Sequence, residues 1–225
     1  VGRNIFFRVF VGLTVGMLGP VWGSPIGVTS GMSNTVNHDT TGGLSIVASV
    51  SGNPTGTFSG LFSGAGKLTI GNGTLPVTVD LRNLSNSYSG GTDVLSGSTV
   101  IVLQGTSATP GAAIAGGTSI SLEGGTIKFQ MSDGATPTIT NTITLTGGGT
   151  LSAIGSGAVY QYSPIHGTGG LTIGEGSVTF AAANNYTGGT TVASGATLYT
   201  SASTIPSSDT DGITLSGGVV KITGG

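Results

Sequence analysis

The sequence predicts an all-β chain wound into a right-handed parallel β-helix, a solenoid, with a β-sandwich as the alternative. Three observations point there. Of 225 residues, 44 are glycine, 35 threonine and 27 serine, and only 6% are charged, which leaves too little Leu, Glu, Lys and Ala to build amphipathic helices. Short runs in which Thr or Ser alternates with Ile, Leu or Val recur along the chain, the period-two signature of a half-buried strand. Finally, the runs repeat in a fixed order with loops of varying length, as expected of a stacked array in which each strand buries its apolar side on the next turn.

Composition also excludes several classes of function. Disordered chains combine low hydrophobicity with high net charge, whereas this chain is 36% hydrophobic with a formal charge of −2. Six Lys and Arg spread over the whole length make no basic patch for nucleic acid. With no cysteine, disulfides, thiolate metal sites and thiol nucleophiles are excluded.

Residues 1–23 read as a secretory signal peptide. Arg3 and Arg8 give a positive start, Val9 to Leu18 is a mostly apolar run, Gly19-Pro20 breaks it, and Val21-Trp22-Gly23 supplies small residues at the positions a signal peptidase reads. The run is short for a membrane span, which takes about 20 residues. Residues 24–225 are then expected outside the cytoplasm as one stretch of a longer repeat protein, because the pattern is still running at Thr223-Gly224-Gly225.

The strands follow in order from about Gly42. They include Lys67-Leu68-Thr69-Ile70, Thr99 to Leu103, Ser119 to Leu122, Thr142 to Leu145, Leu171 to Ile173 and Gly212 to Leu215. Glycine pairs such as Gly90-Gly91, Gly124-Gly125 and Gly188-Gly189 bound them and are expected to supply the positive φ of tight turns. At about 20 to 25 residues per coil, roughly eight to ten coils are expected. Ser24 to Gly42 is expected to cap the amino end. Open strand edges template pairing, so residues 24–225 alone are expected to aggregate.

The repeat itself is explicit. The fifteen residues Asn86 to Val100 align without gaps on Asn184 to Leu198, with nine identities, among them Asn86/Asn184, Tyr88/Tyr186, Gly90/Gly188, Gly91/Gly189 and Thr92/Thr190. Gly66 to Gly71 precedes the first copy as Gly169 to Gly174 precedes the second, and Ile120 to Lys128 follows the first as Ile213 to Lys221 follows the second. Asn184-Asn-Tyr-Thr-Gly188-Gly-Thr190-Thr-Val192, with Gly167-Thr-Gly169-Gly-Leu171-Thr-Ile173 before it, resembles the passenger-associated transport repeat of bacterial autotransporters, the type V secretion systems. The first copy departs by a longer insertion after Gly71 and by Asp93 and Val100. The resemblance covers about seventy residues. It implies a β-helical passenger exported across the inner membrane and displayed or released by a C-terminal outer-membrane β-barrel translocator, which would be its partner in cis beyond this sequence. It further implies that the repeats aid folding and passage across the outer membrane.

Chemistry is hard to find. Acid catalysis on a β-helix needs carboxylates converging on one face, whereas Asp39, Asp80, Asp93, Glu123, Asp133, Glu175, Asp209 and Asp211 are scattered. Asp209 and Asp211, two residues apart, lie among Ser, Thr and Gly and read as a turn, with a calcium or catalytic pair as the alternative. His38-Asp39 and His166 lack the third ligand of a zinc site, and no Gly-x-Ser-x-Gly elbow accompanies them. Gly64-Ala65-Gly66-Lys67 lacks the spacing of a phosphate loop, and the strings Gly147 to Gly149 and Gly174 to Gly176 lack the third glycine of a dinucleotide fingerprint. Tyr88 and Tyr186 have faces that stack on sugars, but their shared place in the repeats argues for packing on the adjacent coil.

The sequence therefore designates no catalytic, cofactor or metal residue. It points to a surface-displayed structural or adhesive scaffold with surface glycans or a host or neighbouring cell as partners. A polysaccharide-active enzyme on the same helix and a matrix or filament subunit are the alternatives.

Overall fold

A computed structural model describes residues 25–104, 114–116, 118–131, 136, 138–155, 157–206 and 211–223. The expected leader, 1–23, and Asp133 and Asp209 lie outside these residues. Every regular element is a strand, and every pairing between named strands is parallel. The chain is a parallel β-helix of about eight turns.

Three long sheets run along the stack. The first is β1 (Ile26–Val28), β4 (Leu44–Ala48), β7 (Leu68–Ile70), β9 (Thr92–Leu95), β11 (Ile120–Glu123), β14 (Ile143–Leu145) and β17 (Ile165–Gly167). The second is β2 (Met32–Asn34), β5 (Thr55–Phe58), β8 (Thr78–Leu81), β10 (Thr99–Leu103), β12 (Gly125–Gln130), β15 (Gly149–Ile154), β18 (Leu171–Ile173), β20 (Thr190–Ala193) and β22 (Ile213–Ser216). The third side begins with β3 (His38–Asp39) on β6 (Phe62–Ser63). It is completed higher up by β13 (Thr138–Ile139), β16 (Ala158–Gln161), β19 (Gly176–Phe180), β21 (Ala196–Thr200) and β23 (Val219–Ile222). Register partners lie 19 residues apart at Leu171 and Thr190 and 28 apart at Thr92 and Ile120, the extremes of coil length. The stretch expected as a cap holds β1, β2 and β3 and is itself a rung of the stack, because Ile26 and Val28 continue the inward stack of Ile46 and Ala48.

Alternation decides which side chains meet. In the first sheet Ile46, Ile70, Val94, Leu122 and Leu145 fall in one inward register, all fully buried. In the second, Val79, Val100, Ile127, Leu151, Ile173 and Val192 do the same. Each such side chain contributes about 1.5–3 kcal/mol by leaving water, and none can do so until the next rung covers it. Outside, one register position of the second sheet holds Thr55, Thr78, Thr99, Thr126, Thr150, Thr172, Thr191 and Thr214 in unbroken succession. Cross-strand threonine pairs of this kind add roughly 0.2–1 kcal/mol each.

On the last rung, Leu215 and Ile222 occupy registers that are buried one rung below, at Val192 and Thr200, yet are 57% and 65% exposed. This exposed apolar edge should therefore promote self-association with rising concentration, and Leu215→Lys should suppress it. A concentration-independent monomer by analytical ultracentrifugation would contradict the expectation.

Candidate functional site

The repeated unit builds a corner, and both copies build it alike. Tyr88 and Tyr186 are buried, 1% and 0% exposed. Their hydroxyls hydrogen-bond the inward hydroxyls of Thr92 at 2.7 Å and Thr190 at 2.6 Å. Burial pushes the Tyr88 hydroxyl up to about 12. The asparagine two residues before each tyrosine reaches the coil beneath: Asn86 Oδ1 accepts from the backbone N–H of Phe62 and Asn184 Oδ1 from that of Ile165, both at 2.8 Å. Residues 86–89 and 184–187 thereby join the stack without being regular strands, through backbone bonds from Ser87 to Phe62 and from Asn185 to Ile165. The packing role read from sequence for the two tyrosines is the one observed.

The copies nonetheless occupy different corners. Thr92 opens β9 in the first sheet, whereas Thr190 opens β20 in the second. The segments before and after the unit shift together: β7 and β11 lie in the first sheet, β18 and β22 in the second. Leu95 and Ala193, aligned in the repeat, make equivalent bridges to Gly124 and Gly217. The 98 residues from Thr92 to Thr190 thus wind four turns and one further face.

The glycine pairs hold two residues for two reasons. Gly91 and Gly189 have φ of 85° and 78°, the left-handed region expected of turn glycines. Gly90 and Gly188 do not. A Cβ on Gly90 would lie 2.3 Å from the carbonyl carbon of Gly66, and one on Gly188 2.4 Å from the nitrogen of Gly170. Here glycine is set by the backbone of the coil beneath. The string Gly64 to Lys67 is occupied in the same way, since a Cβ on Gly66 would meet the Thr40 carbonyl oxygen.

The described carboxylates stay apart. Asp93 pairs with Lys67 at 2.9 Å, Asp80 with Arg82 at 2.6 Å and Glu175 with Lys128 at 2.5 Å. Asp39 accepts from the N–H and hydroxyl of Thr41, which hold its carboxyl below the usual range. Glu123 is exposed at the end of β11, and Asp211 sits in a bend before β22. Each lies on a different rung. Among the described residues no group of three His, Asp or Glu is placed to hold a metal ion.

The histidines are separated as well. His166 lies outward on β17 and bonds Asn185. His38 Nε2 is 3.3 Å from Asn34 Oδ1, and its ring stacks on Phe62 at 5.1 Å with Phe58 edge-on at 6.3 Å. Burial lowers its pKa below 6.5. The folded state therefore favours the neutral ring, and the contribution present above pH 6.5 is lost as pH falls toward the lower folded pKa. Amides shared by β3 and β6 should exchange severalfold faster at pH 5 than exchange chemistry alone predicts, and His38→Phe should abolish the excess. An unaltered excess in that variant would assign it elsewhere.

Sequence reasoning passed over the outer surface of the third side, where Tyr160, Tyr162 and Tyr199 stand. Tyr162 is 53% exposed and its ring lies 6.3 Å from that of Tyr160. Period-two alternation around Val159 and Leu198 was the available signal, since it puts Tyr160 and Tyr199 outward. Comparison of the chain with protein families, curated proteins and solved structures finds no match.

Proposed function

We propose that the chain is part of an exported autotransporter passenger, a structural or adhesive scaffold displayed at a bacterial surface. The observation that carries this reading is the corner unit. One short sequence pattern builds the same Asn-to-backbone bond, Tyr–Thr hydroxyl pair and close glycine contact at two different corners. A unit whose asparagine, backbone and glycine seat on the rung beneath it is suited to vectorial folding, in which a chain leaving a pore adds one coil at a time. Each coil buries apolar surface at about 25 cal/mol per Å², which opposes backward sliding without any nucleotide. The scattered carboxylates, three of them held in ion pairs, fit a scaffold better than a polysaccharide hydrolase.

The test is to express the chain in a Gram-negative host, fused ahead of an outer-membrane β-barrel translocator. Cleavage after Gly23 and digestion by protease added to intact cells are the expected results. Retention in the cytoplasm, or in the periplasm with the barrel correctly inserted, would overturn the reading.

A further inference from the structure

The five tyrosines fall into two groups. Tyr88 and Tyr186 are sealed in corners, and the other three share one outer face. There, Thr138, Tyr160, Thr179, Tyr199 and Lys221 occupy a single outward register on five successive rungs. Tyr160 and Tyr199 are two rungs apart, about 9.6 Å along the stack at ordinary strand spacing, with the smaller Thr179 between them. Tyr162 widens the aromatic surface beside Tyr160.

The charge on this face is distinctive. Lys67, Arg82 and Lys128 each hold a carboxylate. Lys221, the remaining cation among the described residues, has its Nζ 4.9 Å over the ring of Tyr199 and 3.1 Å from its hydroxyl. None of β13, β16, β19, β21 and β23 contains an acidic residue.

We propose that this face binds a linear β-1,4-linked polysaccharide containing uronic acid, laid along the stack. The proposal rests on the reading of the chain as a surface-displayed scaffold and names what it would hold. An extended β-1,4 chain advances by close to one rung per sugar and turns over at every sugar, so equivalent faces recur at every second one. Aromatic rings on alternate rungs therefore meet equivalent C–H faces, and the intervening Thr179 leaves room for the inverted sugar. Lys221 supplies the counter-charge for a carboxylate. Its exposed cation–π contact is weak enough to be exchanged for an ion pair.

The experiment is isothermal titration of the purified full chain with β-1,4-linked hexamannuronate and with neutral cellohexaose. Binding of the acidic oligomer, tighter than that of the neutral one and weakened by salt, is expected. Tyr160→Ala and Tyr199→Ala should each weaken it about tenfold, as loss of an aromatic stack does. Lys221→Gln should remove the preference for the acidic oligomer while leaving cellohexaose unaffected. Circular dichroism of each variant separates lost binding from lost fold, and Tyr160→Trp should retain affinity where Tyr160→Ala does not. No binding, equal binding of both oligomers, or affinity unchanged in the tyrosine variants overturns the proposal. A chain that reaches the cell surface yet binds neither oligomer sinks this inference alone. One that binds but is never displayed sinks the export reading alone.

Discussion

Gly188→Ala should destabilise the protein by about 3 kcal/mol, the upper part of the range for overpacking a filled site. Gly195→Ala, a little further along the same unit, should cost only about 1 kcal/mol. The two glycines differ in why they are there. Gly195 has φ of 80° and open space, with nothing within 4 Å of where a Cβ would stand, so alanine meets conformational strain alone. At Gly188 the new carbon would lie 2.4 Å from the nitrogen of Gly170 and 2.6 Å from the carbonyl carbon of Gly169. These are backbone atoms of the rung beneath, and neither can move without parting β18 from β20. Thermal unfolding followed by circular dichroism measures the difference, at about 2–4 °C per kcal/mol for a chain of this size. Equal losses for both variants would mean that turn conformation alone, and not contact between coils, selects glycine at the corner. Gly90→Ala, against the Gly66 backbone, should behave as Gly188→Ala does.

Tyr88→Ala should cost about 4 kcal/mol, in the range for deleting a buried aromatic side chain. Tyr88→Phe should cost about 1 kcal/mol, the usual net worth of one hydrogen bond. The ring fills a corner on which the rung above is built, and truncation leaves that corner hollow. The hydroxyl contributes its bond to Thr92. Because burial raises the folded pKa to about 12 from 10.0, the neutral hydroxyl is the favoured form. Its contribution is intact below pH 10 and is lost as pH rises from there through about 12. Denaturant titrations from pH 8 to pH 12 should show a smaller loss above pH 10 in Tyr88→Phe than in the parent. Tyr88→Ala as mild as Tyr88→Phe would show that the corner closes without the ring.

Both predictions turn on the corner unit, and it shows how far the sequence could be read. Alternation in Leu68-Thr69-Ile70 or Ile120-Ser121-Leu122 gave strand and inward face directly, because a strand has only two sides and water distinguishes them. The repeat told which residues are equivalent, and burial of Tyr88 and Tyr186 followed from that equivalence. What the alignment could not tell was which corner each copy turns. A unit defined by its contact with the coil beneath fits any corner whose lower neighbour offers the same backbone groups. The face reached by Thr190 depends on the lengths of all the coils between the copies.

The glycines and the tyrosine face show the same division. Glycine identity was legible, but its cause was not. Gly91 serves a dihedral angle within its own turn, whereas Gly90 serves an atom of Gly66, 24 residues earlier. The polar side chains that tie coils together, such as Asn86 to Phe62 one coil away and Lys128 to Glu175 two coils away, join residues 24 and 47 positions apart. No local pattern records such a pair. Likewise Tyr160 and Tyr199 were readable singly as outward residues, but sharing one register two rungs apart is a property of the stacked sheet.

By itself, then, the sequence determined the alternating strands, their inward sides and the repeated unit, all of which depend on residues near one another in the chain. The tertiary structure alone decided the register of each coil on the last, the corner assigned to each repeat and the row of tyrosines ending at Lys221. The physical reason is that a rung of a solenoid has no core of its own. Its apolar side chains leave water only when the next coil covers them, so every property that depends on neighbouring coils is fixed by the summed length of chain between them.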